Sequence, residues 1–194
     1  MNKFIISFLL TSFVGNVYSQ RIVGYIPGAY RSIATMDATI DWGKMTDAYY
    51  FDAEPTVNGG VSIGHQDRFN HVKTRASQNK INVWLSIGGY GKSDNFPSMA
   101  ANTTYRQNFA DNLVQLCADN GLTGIDLDWE FPEPGSEAAN FSELLKVIRE
   151  TFDSDGNGYK LTIAVGGDVG HADYVNSDAY QYIDYLNIMS YDAP

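Results

Sequence analysis

Beyond residue 20 the chain alternates short apolar runs, rich in β-branched and aromatic residues, with longer stretches of helical periodicity. That alternation is the signature of βαβ units and a parallel sheet. Six runs read as strands, at 21–26, 46–51, 82–87, 124–130, 160–165 and 185–191. Several are apolar on both faces, as buried parallel strands are. Between them, 103–120 puts Phe109, Leu113, Leu116 and Cys117 on one helical face, and 136–152 does the same with Phe141, Leu144, Leu145 and Ile148. Gly121 is a natural stop for the first helix. Ser136 is placed to start the second by accepting an amide hydrogen bond. No linker, repeat or low-complexity run interrupts the pattern, so 20–194 reads as one domain of α/β class.

The first 19 residues stand apart. Lys3, an apolar run over 4–14 and a small or polar stretch ending at Ser19 have the anatomy of a secretory signal peptide, with cleavage after Ser19. The apolar run is too short to span a bilayer. The mature chain is therefore expected to be secreted, whether extracellular, periplasmic or surface-associated, with no membrane attachment after cleavage. Its 13 basic against 23 acidic residues give a net charge of −10, with the acids scattered, which argues against nucleic acid and anionic membranes as partners.

Metal and cofactor signals are weak. Cys117 is the single cysteine, so no internal disulfide can form, and its expected role is as a small core residue. His65, His71 and His171 lack zinc-site spacing, and no glycine-rich phosphate loop precedes a helix. Asp153-Ser154-Asp155-Gly156-Asn157-Gly158 begins like a calcium loop, but Ala164 stands where the bidentate glutamate belongs, so a helix-to-strand turn is the better reading. No metal and no cofactor is implied. Asn102-Thr103-Thr104 and Asn140-Phe141-Ser142 fit glycosylation sequons, to which no function is attached.

The most informative segment is Gly124-Ile125-Asp126-Leu127-Asp128-Trp129-Glu130. Side chains alternate across a strand, so the three acids share one face and Trp129 points the other way, into the helical layer. Successive acids on that face have Cα atoms roughly 7 Å apart, so ionising all three in a confined site is unfavourable and at least one proton is retained or shared. A raised pKa on the outermost carboxyl suits a general acid, and a neighbour that stays ionised stabilises positive charge on a sugar ring. A solvated face, a divalent-metal site or a structural hydrogen-bond network would account for the same pattern.

This segment resembles the fourth-strand motif of glycoside hydrolase family 18, the chitinase family, Asp-x-x-Asp-x-Asp-x-Glu, matching its last three acids and carrying Thr123 at the first. Ser86-Ile87-Gly88-Gly89 resembles the third-strand Ser-x-Gly-Gly, and Met189-Ser190-Tyr191-Asp192 the sixth-strand Met-x-Tyr-Asp. Gly24-Tyr25 and Tyr50-Phe51-Asp52 are similar to the first two strands, so the likeness runs from Arg21 to Pro194. It implies a (β/α)8 TIM barrel of which about six βα units are present, and hence an N-terminal fragment.

The resemblance also implies a chemistry: hydrolysis of β-1,4 bonds in chitin or another N-acetylglucosamine-containing glycan, with retention, the substrate's acetamido group acting as nucleophile. Glu130 would be the acid and then the base. Asp128 would orient the acetamido nitrogen, Asp126 would share its proton, and Tyr191 would hydrogen-bond the acetamido carbonyl. Asp192, Tyr25, Met189, Gly88 and Gly89 would line the substrate site. An endo-β-N-acetylglucosaminidase acting on N-glycans shares every one of these motifs. A non-hydrolytic sugar-binding protein would be expected to have lost the acid, which Glu130 supplies here.

Overall fold

The computed structural model describes residues 20–167 and 174–191. Six parallel strands, β1 (Val23–Pro27), β2 (Asp47–Pro55), β4 (Asn82–Gly88), β5 (Gly124–Asp128), β6 (Lys160–Gly166) and β7 (Tyr185–Met189), lie side by side in that order. All six expected strands are present, with ends shifted by up to four residues. Helices α1 (Ile33–Thr39), α2 (Gln66–Asn79), α3 (Phe96–Ala101), α4 (Thr103–Asn120) and α5 (Ser136–Asp155) make the crossovers, and a 3-10 segment, Ser177–Tyr182, precedes β7. The sheet curls into part of a (β/α) barrel, helices outside. The expected signal peptide at 1–19 lies outside the described residues.

A further strand, β3 (Val61–Ile63), lies outside the six expected runs. It folds back antiparallel on β2, pairing Ala53 with Ile63 and Pro55 with Val61. Its signal was present in Asn58-Gly59, a strong turn dipeptide. At Gly59, φ is +90°, and a Cβ would sit 2.4 Å from the Tyr105 carbonyl oxygen, so the turn docks against α4 only because it carries no side chain.

Helix α4 has the expected bounds. Asn102 caps it by accepting the amides of Thr104 and Tyr105, and Gly121 ends it in the left-handed region. In α5 the expected cap is corrected: Ser136 lies inside the helix, Gly135 precedes it, and the Glu133 amide is taken by Glu137 from the first turn. The helix ends at Asp155, and Gly156 turns the chain toward β6, so the expected helix-to-strand turn at 153–158 is formed by its second half, 156–158, while 153–155 are the last residues of the helix. Phe109, Leu113 and Cys117 of α4 and Phe141, Leu144, Leu145 and Ile148 of α5 are buried against the outer face of the sheet. Trp129 joins them, stacked on Phe96 at 5.2 Å and edge-on to Phe141.

The N-terminal end of the sheet is fastened by one buried acid. Asp47 accepts two bonds from Arg21, at 2.8 and 3.1 Å, and one each from Trp84 Nε1, Asn82 and Thr46. The Arg21 guanidinium lies 3.9 Å from the Tyr185 ring centroid, reaching from the β1 side of the curled sheet to β7. Replacing Asp47 by Ala strands a half-buried guanidinium and an indole N–H. We expect urea denaturation to report a loss of about 3–5 kcal/mol, against under ~1 kcal/mol for Asp111→Ala on the exposed face of α4.

Candidate active site

Asp126 and Asp128 of β5 and Glu130 just beyond it stand on the concave side at successive depths. Asp126 is fully buried and receives four hydrogen bonds: Tyr25 Oη at 2.9 Å and Ser86 Oγ at 2.7 Å on Oδ2, Thr162 Oγ1 at 2.6 Å and Asn187 Nδ2 at 2.9 Å on Oδ1. The donors come from β1, β4, β6 and β7, and strand register brings two of them level with it: Ser86 pairs with Asp126 across β4–β5, and Thr162 across β5–β6. Asp128 is buried one step nearer the strand end, and its Oδ1 has no hydrogen-bond partner among the described residues. Glu130 follows the strand and faces the cavity.

The turn after β4 shapes the ground beside these acids. A Cβ on Gly88, where φ is +109°, would lie 2.2 Å from the Asp128 carbonyl oxygen, so the two strand ends meet only across a glycine. A Cβ on Gly89 would come within 3.3 Å of Asp128 Oδ2 and 3.9 Å of Glu130 Oε1, so both carboxyl groups converge on the bare backbone of that residue. Ser93 completes the support. Its hydroxyl accepts the Glu130 amide at 3.0 Å and lies within donating distance of the carbonyls of Gly89 and Asp128.

Burial governs the charge of the row. Loss of hydration pushes the Asp126 carboxyl up although its four donors pull it down. Asp128 has no such donors among the described residues; burial first, then the charges of Asp126 and Glu130, push it up from 3.8 to about 8. The row therefore holds a proton at neutral pH, and Asp126 and Asp128 titrate as a coupled set. The Tyr25 hydroxyl, raised by burial and by Asp126, stays protonated and donating.

A cavity of about 570 Å³ opens above the row at the C-terminal ends of the strands. Of the residues expected to form the site, Tyr25, Gly88, Gly89, Asp128, Glu130, Met189 and Tyr191 line it, and Asp126 lies directly beneath. Tyr191 is 64% exposed. Asp192 lies outside the described residues. Thr123 immediately precedes β5, where its backbone bridges Val83 and Lys160.

The donors Thr162 and Asn187 were not anticipated, nor were the lining residues Tyr30, Phe51, Asp52, Tyr90 and Lys92. Thr162 and Asn187 each interrupt an apolar strand with one polar side chain, a signal that could have flagged them.

The residues 21–193 match Glycosyl hydrolases family 18. Endochitinase 1 of Metarhizium robertsii is 36% identical over 129 residues, which is 63% of this chain and 30% of that protein. Chitinase A1 of Niallia circulans is 32% identical over 177 residues, 83% of this chain and 24% of that one. The chain thus spans about a third or less of these relatives. Among solved structures, the Group IV chitinase of Ostrinia furnacalis superposes with a TM-score of 0.77 at 25% identity, covering 90% of this chain and 52% of that one. The same chitinase has been solved in complex with allosamidin.

The raised Asp128 carboxyl makes stability depend on pH with a definite sign. A folded-state pKa above the unfolded one favours folding below about pH 4, and that contribution is lost as pH rises toward about 8. Asp128→Asn removes the ionisation, so its melting temperature should exceed that of the unsubstituted protein by roughly 3 °C or more at pH 8, with most of the gain gone at pH 4. Parallel melting curves across that range would count against the assignment.

Proposed function

We propose that this chain, which belongs to glycosyl hydrolases family 18, carries the acid–base half of an active site that hydrolyses β-1,4 bonds in chitin and chitin oligosaccharides with retention. The observation that carries the reading is the pairing of Glu130, open to the cavity, with an Asp128 that keeps a proton up to about pH 8. A protonated carboxyl is a poor nucleophile, and Asp128 stands beside Glu130 on one strand face instead of opposite it across a bound sugar. Asp52, another acid lining the cavity, is engaged by Lys92 and His65. Family membership implies that the nucleophile is supplied by the substrate, whose acetamido oxygen lies next to the anomeric carbon, and the protonated Asp128 is consistent with that.

In the first step Glu130 gives its proton to the glycosidic oxygen, the carbon–oxygen bond breaks, and the acetamido oxygen bonds to the anomeric carbon as an oxazolinium ion. Asp128 takes the acetamido N–H as the ring nitrogen becomes positive, its own proton shared back onto Asp126, which is held in place by its four donors. Tyr191 donates to the acetamido carbonyl, and Tyr25, Met189, Gly88, Gly89 and Asp192 contact the sugar. In the second step the Glu130 carboxylate takes a proton from water, whose oxygen attacks the anomeric carbon and releases the acetamido group. Two inversions give retention.

The chitinase names of the relatives direct the substrate toward chitin and away from N-glycans. We take residues 1–19 as a signal peptide and 20–194 as part of the catalytic barrel, acting outside the cell. No helix among the described residues is long and apolar enough to cross a membrane.

In the full-length protein, Glu130→Gln should lower kcat/KM for chitin oligosaccharides by about 10²–10⁴ while binding of the same sugars, measured by calorimetry, persists. Turnover equal to that of the unsubstituted enzyme would overturn the assignment.

A further inference from the structure

Asp52 is 3% exposed, yet it borders the cavity. It sits where the register between β2 and β4 shifts, between Phe51 and Ala53, an irregularity of the kind that re-aims a side chain. Its Oδ1 takes the ammonium group of Lys92, from the turn after β4, and its Oδ2 meets His65 Nδ1, from the turn after β3, at 2.5 Å.

Two glycines close on the same carboxyl. A Cβ on Gly64 would lie 2.5 Å from Asp52 Oδ2, and one on Gly28 would lie 2.7 Å from Asp52 Cβ. Arg68, in the first turn of α2, donates to the carbonyls of Gly28 and Ala29, tying the turn after β1 to the same cluster. Two of the gathered turns carry the cavity's exposed aromatic walls, Tyr30 after β1 at 82% exposure and Tyr90 after β4 at 93%. Rings so exposed are not fixed by packing of their own, so their separation follows from the backbone turns that bear them.

We propose that Asp52 is a positioning residue for glycan binding: by holding Lys92 and His65 it sets the spacing between the Tyr30 and Tyr90 walls of the cleft. This rests on the reading of the cleft as a glycan site. A buried ion pair gives little net stability over a wholly apolar replacement of both partners, so what the Asp52–Lys92 pair contributes here is geometric. It acts on how the sugar is held, leaving the proton transfers at Glu130 untouched.

The test is a mutant cycle in the full-length protein with chitin oligosaccharides. Asp52→Asn and Lys92→Met should each raise KM about tenfold with kcat within about threefold, and the double variant should be no worse than the poorer single one. Lys92→Arg, which keeps the ion pair, should recover most of the affinity that Lys92→Met loses. Unchanged KM, strictly additive effects, or a fall in kcat alone would overturn the proposal. Should Asp52→Asn fail to fold, Lys92→Met and Lys92→Arg decide by the same KM criterion. Should the unsubstituted protein not cleave chitin oligosaccharides, it is the functional reading that fails. The clamp is then read without sugar: non-additive losses of melting temperature in the cycle support it, and additive losses overturn it.

Discussion

A carboxylate removed from water must be surrounded by donors, and the sheet is arranged around that requirement at Asp126. Tyr25, Ser86, Thr162 and Asn187 reach it from four other strands, so one side chain ties β1, β4, β6 and β7 to β5. Any shift in strand register would leave a buried acid short of partners, a cost of several kcal/mol. The same network fixes the strand whose next inward residue is Asp128 and whose extension is Glu130.

Acids recur at several heights along the curled sheet, and the degree to which each is satisfied follows its place. Asp47, at the N-terminal end, has Arg21 and neutral donors, and Arg21 with its other partners holds it below its ordinary pKa despite burial. Asp126, midway, has four neutral donors among the described residues. Asp128, at the strand end, has an oxygen with no partner among the described residues, and its pKa is pushed up to about 8. Asp47 and Asp126 are thus closed off, while Asp128 at the cleft keeps an oxygen with capacity for a further donor. Asp52 shares the rim with Asp128 but is filled on both oxygens, which is why its contribution is to geometry.

The parallel sheet was legible because alternation of apolar runs and helical stretches is a global pattern that no single residue can spoil. The acid row was legible because three acids at period two in an otherwise apolar strand fall on one face, apart from the apolar residues that pack on the helices. Helices α1, α2 and α3 were not read. In α2 only Phe69, Val72 and Ala76 are buried among fourteen residues, too sparse an apolar stripe to stand out. The Ser136 cap failed because the helix begins one residue earlier than a Ser136 cap requires: Gly135 is the cap, its carbonyl takes the Ala139 amide, and Ser136 is already the first helical residue. Sequence alone foresaw a shared proton but could not say which carboxyl is starved of donors. That depends on Thr162 and Asn187, which lie 36 and 61 residues from Asp126 and meet it only in the folded sheet.

The claim on which the functional account rests is that the row keeps a proton on or beside Asp128 at neutral pH. Carbon-13 NMR titration of the aspartate carboxyl groups, with Asp128→Asn to assign the signal, measures it directly. The account predicts one aspartate resonance titrating near pH 8, absent in Asp128→Asn. An Asp128 signal titrating near the ordinary value of about 4 would contradict it.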